Sequence, residues 1–174
     1  MGERRRVRRR CEALVGALDI PEPFDVGELC ARLGARRGRP IRLVPFAMPT
    51  DSPCGLWVSA ADRDYIFFER ATSPLHQTHI VLHEIGHLLC AHDAAPALDG
   101  QVSSRLLPDL DPALIERILG RTHYSAVQEQ EAEIIASLIL ERVSARAPEP
   151  VRTVRPEDEG IVTRIENVLE QRRE

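Results

Sequence analysis

Lysine is absent from this chain and aromatic residues are scarce, which restricts the possible roles of its basic residues. All 23 basic positions are arginine, and aromatic residues make up 4% of the sequence. Six arginines lie within the first ten residues, while the remaining chain is acidic enough to bring the net charge to -4. Such a basic run can bind nucleic acid, but no aromatic residues alternate with the arginines and no recognised binding motif accompanies them. Direct nucleic-acid binding is therefore disfavoured.

The arginine-rich start has a simpler structural explanation. Apolar residues recur within it at the spacing of one helix face, namely at Val7, Cys11, Leu14, Val15 and Leu18. This pattern predicts an amphipathic helix over residues 1–20, with its arginines largely on the solvent side.

Long apolar runs and paired cysteines are also lacking. No segment approaches the roughly 20 uninterrupted apolar residues that cross a bilayer. Glu12 and Asp19 interrupt the stretch after the basic start, where a signal peptide requires apolar residues. The four cysteines form no CxxC pair, which favours free thiols in a reducing compartment. We expect a cytoplasmic protein that does not enter a membrane.

The length and composition indicate one globular domain over residues 1–174. Apolar residues make up 43% and charged residues 29%, as in ordinary globular proteins. The predicted parts are the helix at 1–20, a core at 25–145 and a C-terminal helix at 156–172. The fold class is expected to be α+β, mostly helical, with two long helices beside a small antiparallel sheet.

Turn and cap signals divide the core into its elements. Asp25 is placed as the N-cap of a short helix that Gly34 is expected to end. Three β-rich segments at 41–46, 55–60 and 64–70 predict the sheet. A long helix is expected from about Pro74 to residue 91, because Ser73 precedes it as an N-cap and proline is tolerated in the first turn. A short helix is expected at 111–119, and another long one after it.

The helix after Ser73 carries "HEIGH", an H-E-x-x-H motif. Successive helical residues turn by about 100°, so His83 and His87 lie about 40° apart on one face and can bind one metal ion. Imidazole nitrogen suits zinc. Glu84 is turned about 100° from His83, beside the ion, where its carboxylate can act on a water molecule as a general base.

A catalytic zinc ion usually has three protein ligands, and the following long helix offers the third. Glu129 and Glu133 share one face of that helix, whereas Glu131 is about 200° away from Glu129. A carboxylate among apolar neighbours also requires a partner, so the spacing alone does not decide between the two faces.

The two helices together resemble the ImmA/IrrE family of cytoplasmic zinc metallopeptidases over roughly residues 25–140. "HEIGHLLCAHD" followed by "EQEAEIIASLIL" is similar to the family pattern of HExxH and then E-x-x-A-N/D-x-F-A-x-x-L-L. The resemblance implies that Glu129 is the third zinc ligand, and Glu131 is kept as the reserve because the spacing leaves it open. The two helices are expected to form a zincin-like pair within a catalytic core at 25–145. This chain departs from the pattern at Glu133, where Asn or Asp is usual, and at Ile135, where Phe is usual.

The motif and the resemblance together predict a zinc-dependent endopeptidase with one zinc ion per chain. Glu84 is expected to take a proton from water and return it to the leaving amine, and His123 or Tyr124 is the candidate donor to the oxyanion. The resemblance implies that the substrate is a DNA-binding repressor with a helix-turn-helix domain. The alternative is a catalytically silent, zinc-stabilised module that sequesters a regulator. The retained Glu84 favours the enzyme, since a structural zinc site has no use for a base.

Overall fold

The computed structural model describes residues 2–48, 52–60, 62–92 and 124–146, except for the side chain of residue 3. Met1–Ser144 group into one compact unit and Ala145–Glu174 into a second. The predicted helices at 111–119 and 156–172 lie outside the described residues, so the assignment of a single domain stays a prediction. Within the described ranges, every helix is too short or too polar to cross a membrane.

The first two helices form where the sequence predicts them, but both differ at the C-terminal end. Helix α1 spans Gly2–Gly16 and helix α2 spans Val26–Arg37, so α1 ends at Gly16 rather than at residue 20, and α2 continues past Gly34. The Asp25 side chain caps α2 by accepting a hydrogen bond of 2.7 Å from the backbone N–H of Glu28. The predicted stop at Gly34 is wrong, because the helix continues for another turn and ends at Gly38, which has the left-handed φ of 65°.

Gly34 serves packing rather than helix termination. A Cβ atom at this position would lie 2.9 Å from the carbonyl oxygen of Arg39 and 3.1 Å from the backbone nitrogen of Ile41. The missing side chain therefore lets the chain fold back closely over α2 as it enters the sheet.

The sheet contains strands β1 (Ile41–Phe46), β2 (Gly55–Ser59) and β3 (Asp64–Glu69) in the order β1-β3-β2. The β2–β3 pair is antiparallel, as predicted, but the β1–β3 pair is parallel, so the sheet is mixed. The prediction of a wholly antiparallel sheet assumed that consecutive strands pair. Instead β3 takes the centre, which suits its buried apolar run of Tyr65, Ile66 and Phe67.

A buried ion pair joins α2 to the central strand. Asp64 is fully buried, and its carboxylate accepts a hydrogen bond of 2.6 Å from Arg37 and a longer one of 3.4 Å from Arg39. Burial alone would raise the pKa of Asp64, but the two guanidinium groups outweigh it and the pKa is lowered. The start of β3 is thereby fixed to the C-terminal end of α2.

Helices α3 (Pro74–Leu89) and α4 (Ala126–Arg146) complete the α+β, mostly helical fold that the sequence predicts. Ser73 caps α3, and Pro74 stands in its first turn. Ser125 and Gln128 cap α4 reciprocally: the Ser125 hydroxyl accepts from the Gln128 N–H, and the Gln128 side chain accepts from the Ser125 N–H.

The core is formed by apolar residues of α1, α2, α3, α4 and the sheet, including Cys11, Leu29, Ile66, Leu82, Ile85, Ile135 and Ile139.

The backbones of α3 and α4 approach each other closely at Gly86. A Cβ atom there would lie 2.7 Å from Cα and 2.8 Å from the carbonyl oxygen of Ala132. Gly86, the fourth residue of "HEIGH", therefore brings the histidine face of α3 next to the glutamates of α4.

Gly86→Ala is expected to lower the free energy of unfolding by about 1–3 kcal/mol, because the added methyl group must push the two helices apart. Gly16→Ala is the matched control, since a Cβ atom at Gly16 meets no atom within 4 Å and alanine ordinarily stabilises a helix relative to glycine. Urea denaturation of both variants measures the difference. Equal stability of the two would contradict the proposed close approach.

Candidate metal centre

Three ligand atoms from α3 and α4 meet at the crossing of these helices. Nε2 of His87 lies 3.1 Å from Nε2 of His83, and Nε2 of His83 lies 3.1 Å from Oε2 of Glu129. The other oxygen of Glu129, Oε1, is 3.8 Å from Nε2 of His87. His83, His87 and Glu129 thus form a group whose ligand atoms all lie within 4.8 Å of one another.

The distances within this group fit a zinc ion. Ligands 2.0–2.1 Å from zinc at tetrahedral angles are separated by about 3.3 Å, close to the two observed separations of 3.1 Å. Two imidazole nitrogens and one carboxylate oxygen are also a donor set found at catalytic zinc sites, where the fourth position is left for water or substrate. The residues present therefore suit the ion that the sequence predicts.

Glu84 lies beside this group in a buried position. Only 5% of the residue is exposed, and no described residue donates a hydrogen bond to its Oε2 atom. Burial, together with the negative charge of Glu129, raises the pKa of Glu84 to about 8, against the opposing effect of the backbone N–H of Trp57. A carboxyl group whose pKa lies near neutrality is suited to taking up and returning a proton.

The start of strand β2 packs directly over Glu84. A Cβ atom on Gly55 would lie 2.6 Å from Oε1 of Glu84 and 2.6 Å from a methyl carbon of Ile80. Glycine at this position is therefore required for the strand to approach the carboxylate so closely.

A cleft of about 250 Å³ opens onto these groups. Its walls come from β2 with the residues before it, from α3 and from the start of α4: Pro53, Cys54, Gly55, Leu56, His79, Ile80, His83, Glu84, His87, Tyr124 and Glu129. The three candidate ligands and the candidate base are thus accessible from one cavity.

His87 is the buried member of the ligand group. Burial, together with the neighbouring His83 and His92, lowers its pKa to about 3, so the imidazole is neutral at physiological pH and can act as a ligand. The ring of Tyr124 stacks on it, with the centroids 3.7 Å apart and the planes 17° from parallel. Tyr124 thus lies at the cleft where an oxyanion donor is expected, whereas His123, the other candidate, lies outside the described residues.

The three glutamates in the first half of α4 point to different partners. Glu129 joins His83 and His87, while Oε2 of Glu133 lies 3.2 Å from Nε2 of His79 and 3.6 Å from Nδ1 of His83. Glu131, the reserve ligand, is turned inward and buried, away from His83. The geometry therefore favours Glu129 as the third ligand and places Glu133 behind His83.

Sequence reasoning left His92 without a role, and the structure places it directly against His87. Helix α3 ends at Leu89 with Cys90 as its C-cap, and Ala91 adopts a left-handed φ of 55°. The backbone N–H of His92 then donates to the carbonyl oxygen of His87, and that of Ala91 to Leu88, which together form a Schellman turn. Glycine is the usual signal for such a turn. Because alanine stands at position 91, the sequence did not indicate that the chain turns back toward His87.

The raised pKa of Glu84 predicts how the stability of the metal-free protein depends on pH. The carboxyl group ionises near 4.5 in the unfolded chain and near 8 in the folded protein. Between these values a rise in pH ionises only the unfolded chain, so the free energy of unfolding falls by about 1.4 kcal/mol per pH unit. His87 has the opposite effect, but only below 6.5, where the unfolded imidazole takes up a proton.

In the interval from pH 6.5 to 8 the contribution of Glu84 therefore exceeds that of His87. Urea denaturation in the presence of a chelator should show decreasing stability for the parent and a nearly flat profile for Glu84→Gln. The same slope in both proteins would assign the pH dependence to another group.

Comparison with protein-family models, curated proteins and solved structures finds no match to this chain. The function is therefore argued from the residues and geometry of the site.

Proposed function

We propose that this protein is a zinc-dependent endopeptidase. The observation that carries the proposal is the combination of a three-ligand group with a buried carboxyl group in one open cleft. His83, His87 and Glu129 supply the ligands, and Glu84 supplies the carboxyl group. A site that served only to hold zinc would have a fourth protein ligand and no need for Glu84.

Zinc in this position would supply a Lewis acid that polarises the substrate carbonyl and lowers the pKa of water. Glu84 then takes a proton from the attacking water molecule and transfers it to the nitrogen of the leaving amine. Its burial and raised pKa suit this exchange, because a carboxyl group that ionises near neutrality can both accept and return the proton. Tyr124 is the candidate donor to the oxyanion.

The edge of the sheet supports a peptide as the substrate. Among the described strands β2 pairs only with β3, so it is an edge strand, and its first residues line the cleft. An extended peptide can hydrogen-bond to the backbone of such a strand. Gly55 would place the peptide backbone beside Glu84, since this residue brings the strand into contact with the carboxylate.

The substrate class and the location are proposed from the resemblance to the ImmA/IrrE family. It implies a cytoplasmic enzyme that cleaves a DNA-binding repressor with a helix-turn-helix domain. The resemblance rests on "HEIGHLLCAHD" and "EQEAEIIASLIL", and the approach of Glu129 to the two histidines agrees with it.

The test is a cleavage assay with three preparations of the protein: zinc-loaded, stripped by a chelator, and stripped and reloaded. Each is incubated with a panel of helix-turn-helix repressors, folded and unfolded, and new N termini are identified by mass spectrometry. We expect cleavage by the first and third preparations only. Stable binding of a repressor without cleavage by any preparation would favour the sequestering module, and cleavage that survives stripping would indicate a contaminating protease.

A further inference from the structure

A chain of buried polar contacts continues behind His87, on the side away from the cleft. Nδ1 of His87 lies 2.9 Å from Nδ1 of His92, and Nε2 of His92 lies 2.9 Å from Oε2 of Glu131. The other oxygen of Glu131, Oε1, accepts a hydrogen bond of 3.2 Å from Arg10. His87, His92 and Glu131 are each less than 10% exposed, whereas Arg10 reaches the surface on α1.

The contact between Arg10 and Glu131 determines which nitrogen of His92, and then of His87, carries a hydrogen. The guanidinium group of Arg10 can only donate, and the carboxylate of Glu131 can only accept. Nε2 of His92 must therefore carry a hydrogen to donate to Glu131, which leaves Nδ1 of a neutral His92 without one. Nδ1 of His87 must then donate to His92.

The last step concerns the atom that faces the cleft. A neutral imidazole that carries its hydrogen on Nδ1 has a free lone pair on Nε2. Nε2 is the atom of His87 that lies 3.1 Å from His83 and 3.8 Å from Glu129. The contacts behind His87 thus select the tautomer that can bind a metal ion.

We propose that His92, Glu131 and Arg10 are positioning residues that hold His87 in its metal-binding tautomer and orientation, an inference that rests on the proposed role of His87 as a zinc ligand. A metal-binding histidine commonly donates its second N–H to a carboxylate or carbonyl oxygen. Here another histidine is inserted between the ligand and the carboxylate, and the N-terminal helix supplies the terminal cation.

The same residues offer a competing arrangement, because Cys90, His92 and Glu131 also form a group of possible ligands. A metal ion bound to Nε2 of His92 would leave the hydrogen of that ring on Nδ1. This N–H would then face the N–H of His87 across 2.9 Å, with no acceptor between them. Both sites cannot be filled while both imidazoles stay neutral, and the cation of Arg10 on Glu131 further disfavours the inner one.

The first readout is the tautomer of each histidine, measured in the metal-free protein at neutral pH by long-range ¹H–¹⁵N correlation. We expect hydrogen on Nδ1 for His87 and on Nε2 for His92. In Glu131→Gln the side-chain amide can donate as well as accept, so both rings should populate the opposite tautomer. Glu141→Gln is the matched control, because this residue lies on the same helix in an exposed position.

The second readout is zinc affinity, measured by competition with a chromogenic chelator. Glu131→Gln should weaken binding by about 10- to 100-fold, and Glu141→Gln should leave it unchanged. Arg10→Met tests the contact between Arg10 and Glu131. Arg10 is exposed, so this substitution should not impair folding. It should shift the tautomers in part and weaken binding several-fold relative to Arg9→Met, which replaces a neighbouring exposed arginine.

The outcomes separate this inference from the proposed function. A parent protein that binds one zinc ion but carries hydrogen on Nε2 of His87, or variants that bind zinc as tightly as their controls, would overturn the inference alone. Two zinc ions per chain, the second lost in Cys90→Ala, would replace it with the competing site. A parent that binds no zinc would overturn the proposed function and this role together.

Discussion

Replacement of Glu84 by glutamine is expected to lower the rate of peptide cleavage by about 10²- to 10⁴-fold, the range typical of a general acid–base group, while zinc binding is retained. Glutamine has the shape of glutamate, so it fits beneath Gly55, where the carboxylate is already in close contact with the strand. It cannot take up a proton from water. It also carries no charge to bury, so the variant should fold at least as well as the parent.

The loss should appear in kcat rather than in zinc content, because Glu84 is not one of the three grouped ligands. Metal content and turnover are therefore measured on the same preparations, with Glu141→Gln as the control for loss of one carboxylate. Cleavage by Glu84→Gln at the parent rate would remove Glu84 from the mechanism. A loss of zinc equal to the loss of activity would instead make it a ligand.

Glu129→Ala is expected to weaken zinc binding more than any other single change on α4. The Glu129 carboxylate lies 3.1 Å from His83 and 3.8 Å from His87, so its loss removes one of three ligand atoms. Glu131→Ala breaks only the contacts behind His87, and its effect should stay within the 10- to 100-fold range of outer contacts. Competition with a chelator measures both variants, and Glu141→Ala serves as their control. The opposite order would assign the third ligand to Glu131.

The local structure of the site could be predicted because short-range signals determine it. The N-cap at Ser73, the proline after it and the spacing of His83 and His87 together specify a helix with both imidazoles on one face. Asp25 likewise specifies the start of α2. Each of these signals acts within a few residues, so the sequence displays it directly.

The choice between Glu129 and Glu131 could not be made in this way, because it depends on how two helices cross. The spacing places Glu129 and Glu131 on different faces of α4. Which face meets the histidines depends on the close approach of Gly86 to Ala132. The parallel pairing of β1 with β3 was missed for a similar reason, since the central place of β3 depends on burial of both faces of the sheet.

The residues behind His87 were hidden for two further reasons. His92 lies beyond the end of α3, where helical periodicity no longer applies, and a left-handed turn at Ala91 returns it to His87. Arg10 stands in a run of arginines, and nothing in the sequence distinguishes it from its neighbours. Only its contacts with Glu131 and with the carbonyl oxygen of Cys90 do so.

The most direct test of the central claim is elemental analysis of the protein purified without added metal or a histidine tag, with His83→Ala prepared in parallel. We expect about one zinc ion per parent chain and little in the variant, because His83 belongs to the group of three proposed ligands. Little metal in the parent, even after zinc is offered, would mean that the histidines serve the structure alone and would contradict the account.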